Sequence, residues 1–151
     1  RQDSITFCND IRSARPDLVF GADLIAGFPT ETEAMFENTL KLVDECGLTF
    51  LHVFPFSPRP GTPAARMPQL DQTVIKERAA RLRQKGTETL ARHLDHMVGT
   101  TVDSLVEWGS LGRTPHFAEV RLDRALGEGD VVRTRITGHD GRRLSGTVVN
   151  G

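Results

Sequence analysis

Residues 20–65 read FGADLIAGFPTETEAMFENTLKLVDECGLTFLHVFPFSPRPGTPAA. Leu18–Ala26 is apolar apart from Gly21 and Asp23, the pattern of a strand covered on both faces. Gly27-Phe28-Pro29 ends it, and Thr30 with Glu33 three residues on forms a capping box that predicts a helix start. Met35, Phe36, Thr39, Leu40, Leu42, Val43 and Cys46 then make one apolar stripe at helical spacing. Gly47 supplies the stop. Leu48–Phe56 is a second apolar strand. Two covered strands joined by one helix predict a parallel βαβ unit. Its ligand site belongs beyond the carboxyl ends of the strands, at 27–30 and 56–61.

Outward from this stretch, Asp3–Ala14 reads as a short helix that Pro16 closes. Four prolines between 55 and 63 stiffen the second loop, unlike a flexible polar linker. Arg59 within it suits carboxylate or phosphate recognition, with a surface ion pair as the alternative. Asp23 reads as a partnered carboxylate or as an active-site contact, and His52 as a hydrogen-bonded core residue. A long helix follows, capped by Asp71, with Ile75, Ala79, Leu82, Gly86, Leu90, Leu94 and Met97 on its apolar face. Gly86 predicts a kink or tight packing there. Lys76, Arg78, Arg81, Arg83 and Lys85 read as a solvated polar face, with phosphate tracking as the alternative.

From Gly99 the periodicity turns strand-like. Four short strands are expected at 100–108, 115–122, 130–137 and 142–149, joined at 109–112, 127–129 and 138–141. His139-Asp140-Gly141 is the strongest hairpin signal. Such a run suggests a small OB-like barrel. Ala118, Val120 and Leu122 alternate inward, which turns Phe117, Glu119 and Arg121 outward. An exposed Phe117 beside arginine would be a stacking and phosphate platform; a Phe117 plugging the barrel end is the alternative. Arg113 and His116 lie in the joining loop, where binding residues collect. Trp108 reads as core or domain-interface packing, with base stacking as the alternative.

Composition bounds these readings. The 151 residues carry a net charge of −1, and 38% are hydrophobic, enough for one domain or two small ones. Lys and Arg number 6 against 9 acids in residues 1–70, but 13 against 11 in 71–151, and seven of eight Phe precede residue 57. This shift marks a boundary, with the basic side C-terminal. No apolar run reaches transmembrane length and no signal-peptide pattern opens the chain, so no membrane partner and a cytoplasmic location are expected. Cys8 and Cys46 sit in helical patterns as small buried hydrophobes, so no metal ligand is assigned.

DLIAGFPTETEAMF (23–36) and HVFPFSPRPGTPAARMP (52–68) resemble, in order and spacing, the fifth and sixth barrel strands of the radical-SAM methylthiotransferases. The likeness is greatest to the MtaB-type branch, which acts on threonylcarbamoyladenosine in tRNA. The segments around Val98-Gly99, Leu105-Val106-Glu107 and 112–117 resemble the TRAM domain, the RNA-binding module that closes these enzymes. The resemblance implies an α/β plus all-β chain. Residues 1–70 would be the C-terminal part of a radical-SAM partial TIM-like barrel, 71–98 a connecting helix, and 99–151 a TRAM-like RNA-binding barrel.

It further implies that Ile25, Gly27, Phe28, Phe56 and Ser57 wall the S-adenosylmethionine pocket, and that Arg113, His116, Phe117 and Arg121 grip tRNA. The family pattern has Tyr where this chain has Phe56, and it places Glu where this chain has Thr30 followed by Glu31. The family's CxxxCxxC motif and further cluster cysteines are not in this sequence. The ligands of two [4Fe–4S] clusters, and the catalytic residues, would thus lie in N-terminal domains of a longer enzyme. This piece alone is expected to be inactive. In the parent, radical chemistry at C2 of the modified adenine, next to the anticodon at adenosine 37, is followed by sulfur insertion and methylation. A barrel divided in this way would expose strand edges, so self-association is expected. Two alternatives stay open: a related enzyme that methylthiolates a ribosomal protein, and a non-catalytic RNA-binding module.

Overall fold

A computed structural model describes residues 1–149. The chain divides into two compact units, Arg1–Gly86 and Thr87–Gly151. The first contains α1 (Gln2–Ala14), β1 (Phe20–Ala26), α2 (Glu33–Cys46), β2 (Leu48–Pro55) and the first half of α3 (Gln72–Met97). β1 and β2 pair in parallel, from Phe20 opposite Leu48 to Ala26 opposite Pro55, so the expected βαβ unit is present. Gly47 ends α2 in the left-handed conformation, as its position suggests.

The start of α2 differs from the capping-box reading. Thr32, not Thr30, is the cap, its hydroxyl accepting from the Met35 amide at 3.2 Å. Gly27 (φ +78) and Thr30 (φ +68) both take left-handed backbone. The chain therefore turns between them, closed by the Glu31 amide on the Phe28 carbonyl, before helical geometry can begin. Glu31 thus precedes the helix, in the turn that leads into it.

The strands are also not covered on both faces. Along β1, Gly21, Asp23 and Ile25 are exposed, while Phe20, Ala22 and Leu24 are half-buried and Ala26 is buried. Ala26 packs with Phe36, Ala79 and Leu82, flanked by Leu24, Leu40 and Val53. The opposite face is open among the described residues, with Ile25 55% and Phe54 53% exposed. His52 stands exposed on this open face, which overturns its reading as a core residue.

Gly27 is fixed by packing as well as by its backbone. A Cβ there would lie 2.7 Å from Ile75 Cγ1 of α3. Gly27→Ala is expected to destabilise the first unit by about 2–4 kcal/mol, combining left-handed strain with overpacking. Thermal unfolding of the variant, with the midpoint compared to wild type, checks it.

α3 runs unbroken through Gly86, which meets Leu51 (3.2 Å from a would-be Cβ), so the glycine serves tight packing and not a kink. The Thr73 amide donates to Asp71 Oδ1 at 2.7 Å, the expected cap. Arg78, Arg81 and Lys85 of its polar face form ion pairs, a correction to the solvated reading. Arg78 bonds Glu31 and Glu33, Arg81 bonds Glu33 and Glu37, and Lys85 bonds Asp44. Arg78 is 5% exposed. The acids all come from α2 or the turn before it.

In the second unit, β3 (Thr101–Trp108), β4 (Leu111–Arg113), β5 (Glu119–Leu122), β6 (Val131–His139) and β7 (Leu144–Val148) form a closed barrel in the order β3-β4-β5-β7-β6. This is the small barrel expected, with five strands instead of four. β4 occupies the stretch 109–112 that reads as a joint, because inward Gly112 lets it cross close to β3. A Cβ on Gly112 would stand 2.8 Å from the Leu105 carbonyl oxygen. Val106, Ala118, Val120, Leu122, Ile136 and Leu144 fill the core with Leu94 and Met97. The 140–143 turn is held by Asp140 Oδ1, which accepts from the Arg142 and Arg143 amides at 2.8 and 2.7 Å. No helix among the described residues is long and apolar enough to cross a membrane.

Candidate functional site

Beyond the carboxyl ends of β1 and β2 lies a cavity of about 630 Å³, within the size range of small-molecule sites. Asp23, Ile25, Phe54, Pro55, Phe56, Ser57, Arg59, Thr62 and Ala64 line it. Parallel pairing brings the strand ends together, and the Phe56 amide extends it by donating to the Ala26 carbonyl at 2.8 Å. The proline loop then holds its shape through Thr62, whose amide and hydroxyl both donate to the Arg59 carbonyl, at 3.2 and 2.8 Å. Arg59 is exposed and makes no ion pair among the described residues.

Of the five residues expected in this pocket, Ile25, Phe56 and Ser57 line it. Phe28 stands behind, edge-on to Phe56 at 5.4 Å between ring centroids. Gly27 does not line it; it packs on Ile75 and donates its amide to Glu31 Oε2 at 3.1 Å. Phe54 and Asp23 complete the wall. Apolar faces beside the Arg59 guanidinium suit a ligand with a flat apolar part and a carboxylate at its other end, both of which S-adenosylmethionine has. An iron–sulfur cluster does not fit these residues. No group of three His, Cys, Asp or Glu among the described residues is placed to hold a metal. Cys8 and Cys46 are buried, and burial beside Cys8 pushes the Cys46 thiol up.

On the barrel, Phe117 is 72% exposed, so it does not plug the barrel end. Its backbone is left-handed (φ +67), a strained state for a bulky residue that its surroundings must hold. The turn 114–118 does so: the Phe117 amide donates to the Thr114 carbonyl at 3.0 Å, and the Thr114 amide to the Ala118 carbonyl at 2.9 Å. Arg113 Nη1 donates to the Phe117 carbonyl at 3.0 Å, and its guanidinium lies 5.7 Å from the ring centroid. Glu107 grips Arg113 through both oxygens, at 2.6 and 3.1 Å, with Glu119 at 3.6 Å. The Arg113 hydrogen bond holds the Glu107 carboxyl below its usual range. Arg113 thus acts on the Phe117 turn, with its charge already compensated.

His116 is half-buried, edge-on to His93 at 6.0 Å, with its Nδ1 buried and unpartnered. Burial, then the neighbouring His116 and His96, lowers the His93 pKa. Arg121 projects outward on β5, opposite Leu111 and Ser145. Arg135, on the outer face of β6 between Thr101 and Thr147, was signalled by alternation with Thr134 and Ile136. Neither Arg121 nor Arg135 has a carboxylate partner among the described residues. Trp108, read as packing, is 72% exposed. A shallow groove of about 430 Å³ runs between Leu105, Val131 and Phe117, with Asp103 and Glu107 at its edge.

No family model matches the sequence. Curated relatives do. The chain is 48% identical over 138 residues to the threonylcarbamoyladenosine tRNA methylthiotransferase MtaB of Rickettsia prowazekii, covering 91% of this chain and 33% of that protein. It is 40% identical over 147 residues to a tRNA-2-methylthio-N(6)-dimethylallyladenosine synthase of Erythrobacter litoralis, covering 91% and 32%. A synthase of the same name from Bartonella bacilliformis is 35% identical over 155 residues, covering 98% and 34%. The chain spans about one third of the length of each of these relatives. It matches a C-terminal fragment of a methylthiotransferase. Of the three, the MtaB protein shares the most identical residues per aligned length.

Proposed function

We propose that this chain is the part of a tRNA methylthiotransferase that walls the S-adenosylmethionine pocket and grips tRNA. In this reading residues 1–70 belong to a radical-SAM partial barrel, 71–98 connect, and 99–151 form a TRAM-like RNA-binding barrel. The observation that carries it is the 48% identity to the MtaB protein, which runs through nine-tenths of the chain and so includes both the cavity and the barrel. The reaction is methylthiolation at C2 of N6-threonylcarbamoyladenosine, at position 37 beside the anticodon, in the cytoplasm.

Ile25, Phe54 and Phe56 hold the flat apolar part of the cofactor and exclude water from it. Ser57 and Arg59 offer a hydroxyl donor and a guanidinium fork to its polar end. When bound, one S-adenosylmethionine supplies the radical that activates the substrate, and another supplies the methyl group that is transferred. The [4Fe–4S] clusters belong to other parts of a longer enzyme. The open face of β1 and β2 supports this, since Ile25 and Phe54 are apolar groups that further barrel strands, or failing them a second copy, would cover. Phe117 provides a base-stacking ring, and Arg121 with Arg135 provides phosphate contacts.

Titration of this chain with tRNA at two salt concentrations tests the reading. Binding that weakens steeply with salt is expected, because phosphate contacts release counterions. Absence of binding at low salt removes the RNA role from this chain. The apolar groove at Leu105, Val131 and Phe117 favours a second reading, a protein substrate such as a ribosomal protein. Binding of a ribosomal-protein peptide in place of tRNA would select it.

A further inference from the structure

We propose that Asp23 and His52 together select the N6 substituent of the substrate nucleoside. This deepens the reading above and rests on it. The parallel register sets Asp23 opposite His52, and two residues on it sets Ile25 opposite Phe54. Side chains alternate along a strand, so these four share the open face of the sheet. Asp23, Ile25 and Phe54 line the cavity, and His52 stands opposite Asp23 on the neighbouring strand. Neither the Asp23 nor the His52 side chain makes a hydrogen bond or ion pair among the described residues.

Two ionisable groups side by side on an otherwise apolar face are costly to cover unless the ligand brings partners for both. The relatives name two kinds of nucleoside. A dimethylallyl group is pure hydrocarbon and would leave both groups unpaired. A threonylcarbamoyl group ends in a carboxylate and carries a hydroxyl and urea N–H groups. Asp23 accepts from the urea N–H or the hydroxyl, and His52 donates to the carboxylate or carbonyl. A site that hydrogen-bonds its substrate rejects an analogue lacking those atoms far better than an apolar pocket rejects an extra group. Arg59 lines the cavity from the proline loop and takes the cofactor's polar end.

The test uses the full-length, cluster-loaded enzyme containing this chain. Its substrates are anticodon stem-loops bearing either threonylcarbamoyladenosine or dimethylallyladenosine. The variants are Asp23→Asn, which keeps the shape, and His52→Phe, with His52→Gln as the donor-restoring control. Both Asp23→Asn and His52→Phe are expected to raise KM for the threonylcarbamoyl substrate roughly ten- to a hundredfold, the worth of one hydrogen bond to a charged group. Affinity for S-adenosylmethionine, measured by equilibrium titration, should hold within about twofold, and discrimination between the two stem-loops should fall. Partial recovery in His52→Gln is expected. Unchanged discrimination, equal losses on both substrates, or a shifted cofactor affinity would overturn the proposal. A wild-type enzyme inactive on both stem-loops would overturn the functional reading itself. A discriminating wild type with indifferent variants would overturn only this selection role.

Discussion

Arg78→Ala is expected to lower the stability of the first unit by about 3–5 kcal/mol, the cost of breaking a buried ion pair from one side. Arg78 is 5% exposed, and Nη1 donates both to Glu31 Oε2 and to the Glu31 carbonyl, each at 2.8 Å. The Glu31 carboxylate, whose side chain is 12% exposed, also accepts the Gly27 amide. Removing the guanidinium leaves that carboxylate in a nearly dry place with one amide for company. It also strips a cation from the Phe36 ring, 5.5 Å away. Arg78→Lys keeps the charge but loses the fork, so an intermediate loss of about 1.5–3 kcal/mol is expected. Arg81→Ala is the control: its partners Glu33 and Glu37 are about half exposed, and such pairs are worth under about 1 kcal/mol. Urea unfolding followed by circular dichroism separates the three. A loss below about 1 kcal/mol for Arg78→Ala would mean that water reaches the pair. The functional consequence follows from position. Glu31 pins Gly27, and Gly27 ends the strand that carries Ile25 into the cavity wall.

That pair also marks where sequence reading stops. The apolar runs at 18–26 and 48–56 and the stripe between them announce β1, α2 and β2, because strand and helix periods are local properties. Glycine at 47 announces its own φ. Thr30 does not, since nothing in a threonine codon position reveals left-handed backbone imposed by packing. Arg78 sits on a run of basic residues that looks solvated until α2 is folded beside it, and its partners lie 45 and 47 residues away. β4 was hidden for a different reason: three residues with a central glycine carry no period to detect. At the cavity, Ile25, Phe56 and Ser57 were legible because strand ends can be counted. Gly27 is a packing residue, and His52 looks like core in a sequence where only the partner strand's register shows which face it takes.

The barrel makes the sharpest division between charge that is present and charge that is available. Combining Phe117→Ala, Arg121→Ala and Arg135→Ala is expected to weaken tRNA binding about a hundredfold or more at moderate salt. Loss of one stacked base is worth about 1–3 kcal/mol, and each lost phosphate contact adds to it. The separate variants should differ in kind. Phe117→Ala weakens binding and leaves the salt dependence unchanged. Arg121→Ala with Arg135→Ala flattens the slope of log K against log salt by about 1.4–1.8, two contacts' worth. Arg113→Ala should act otherwise. Its guanidinium is already matched by Glu107 and Glu119, so the slope should barely move, while the strained Phe117 turn loses its clamp and affinity falls as if the ring were removed. Fluorescence anisotropy of labelled tRNA at four salt concentrations resolves all of these. A change of less than twofold for Phe117→Ala would take RNA away from this turn, and a slope lowered by Arg113→Ala would show that Glu107 releases its partner to phosphate.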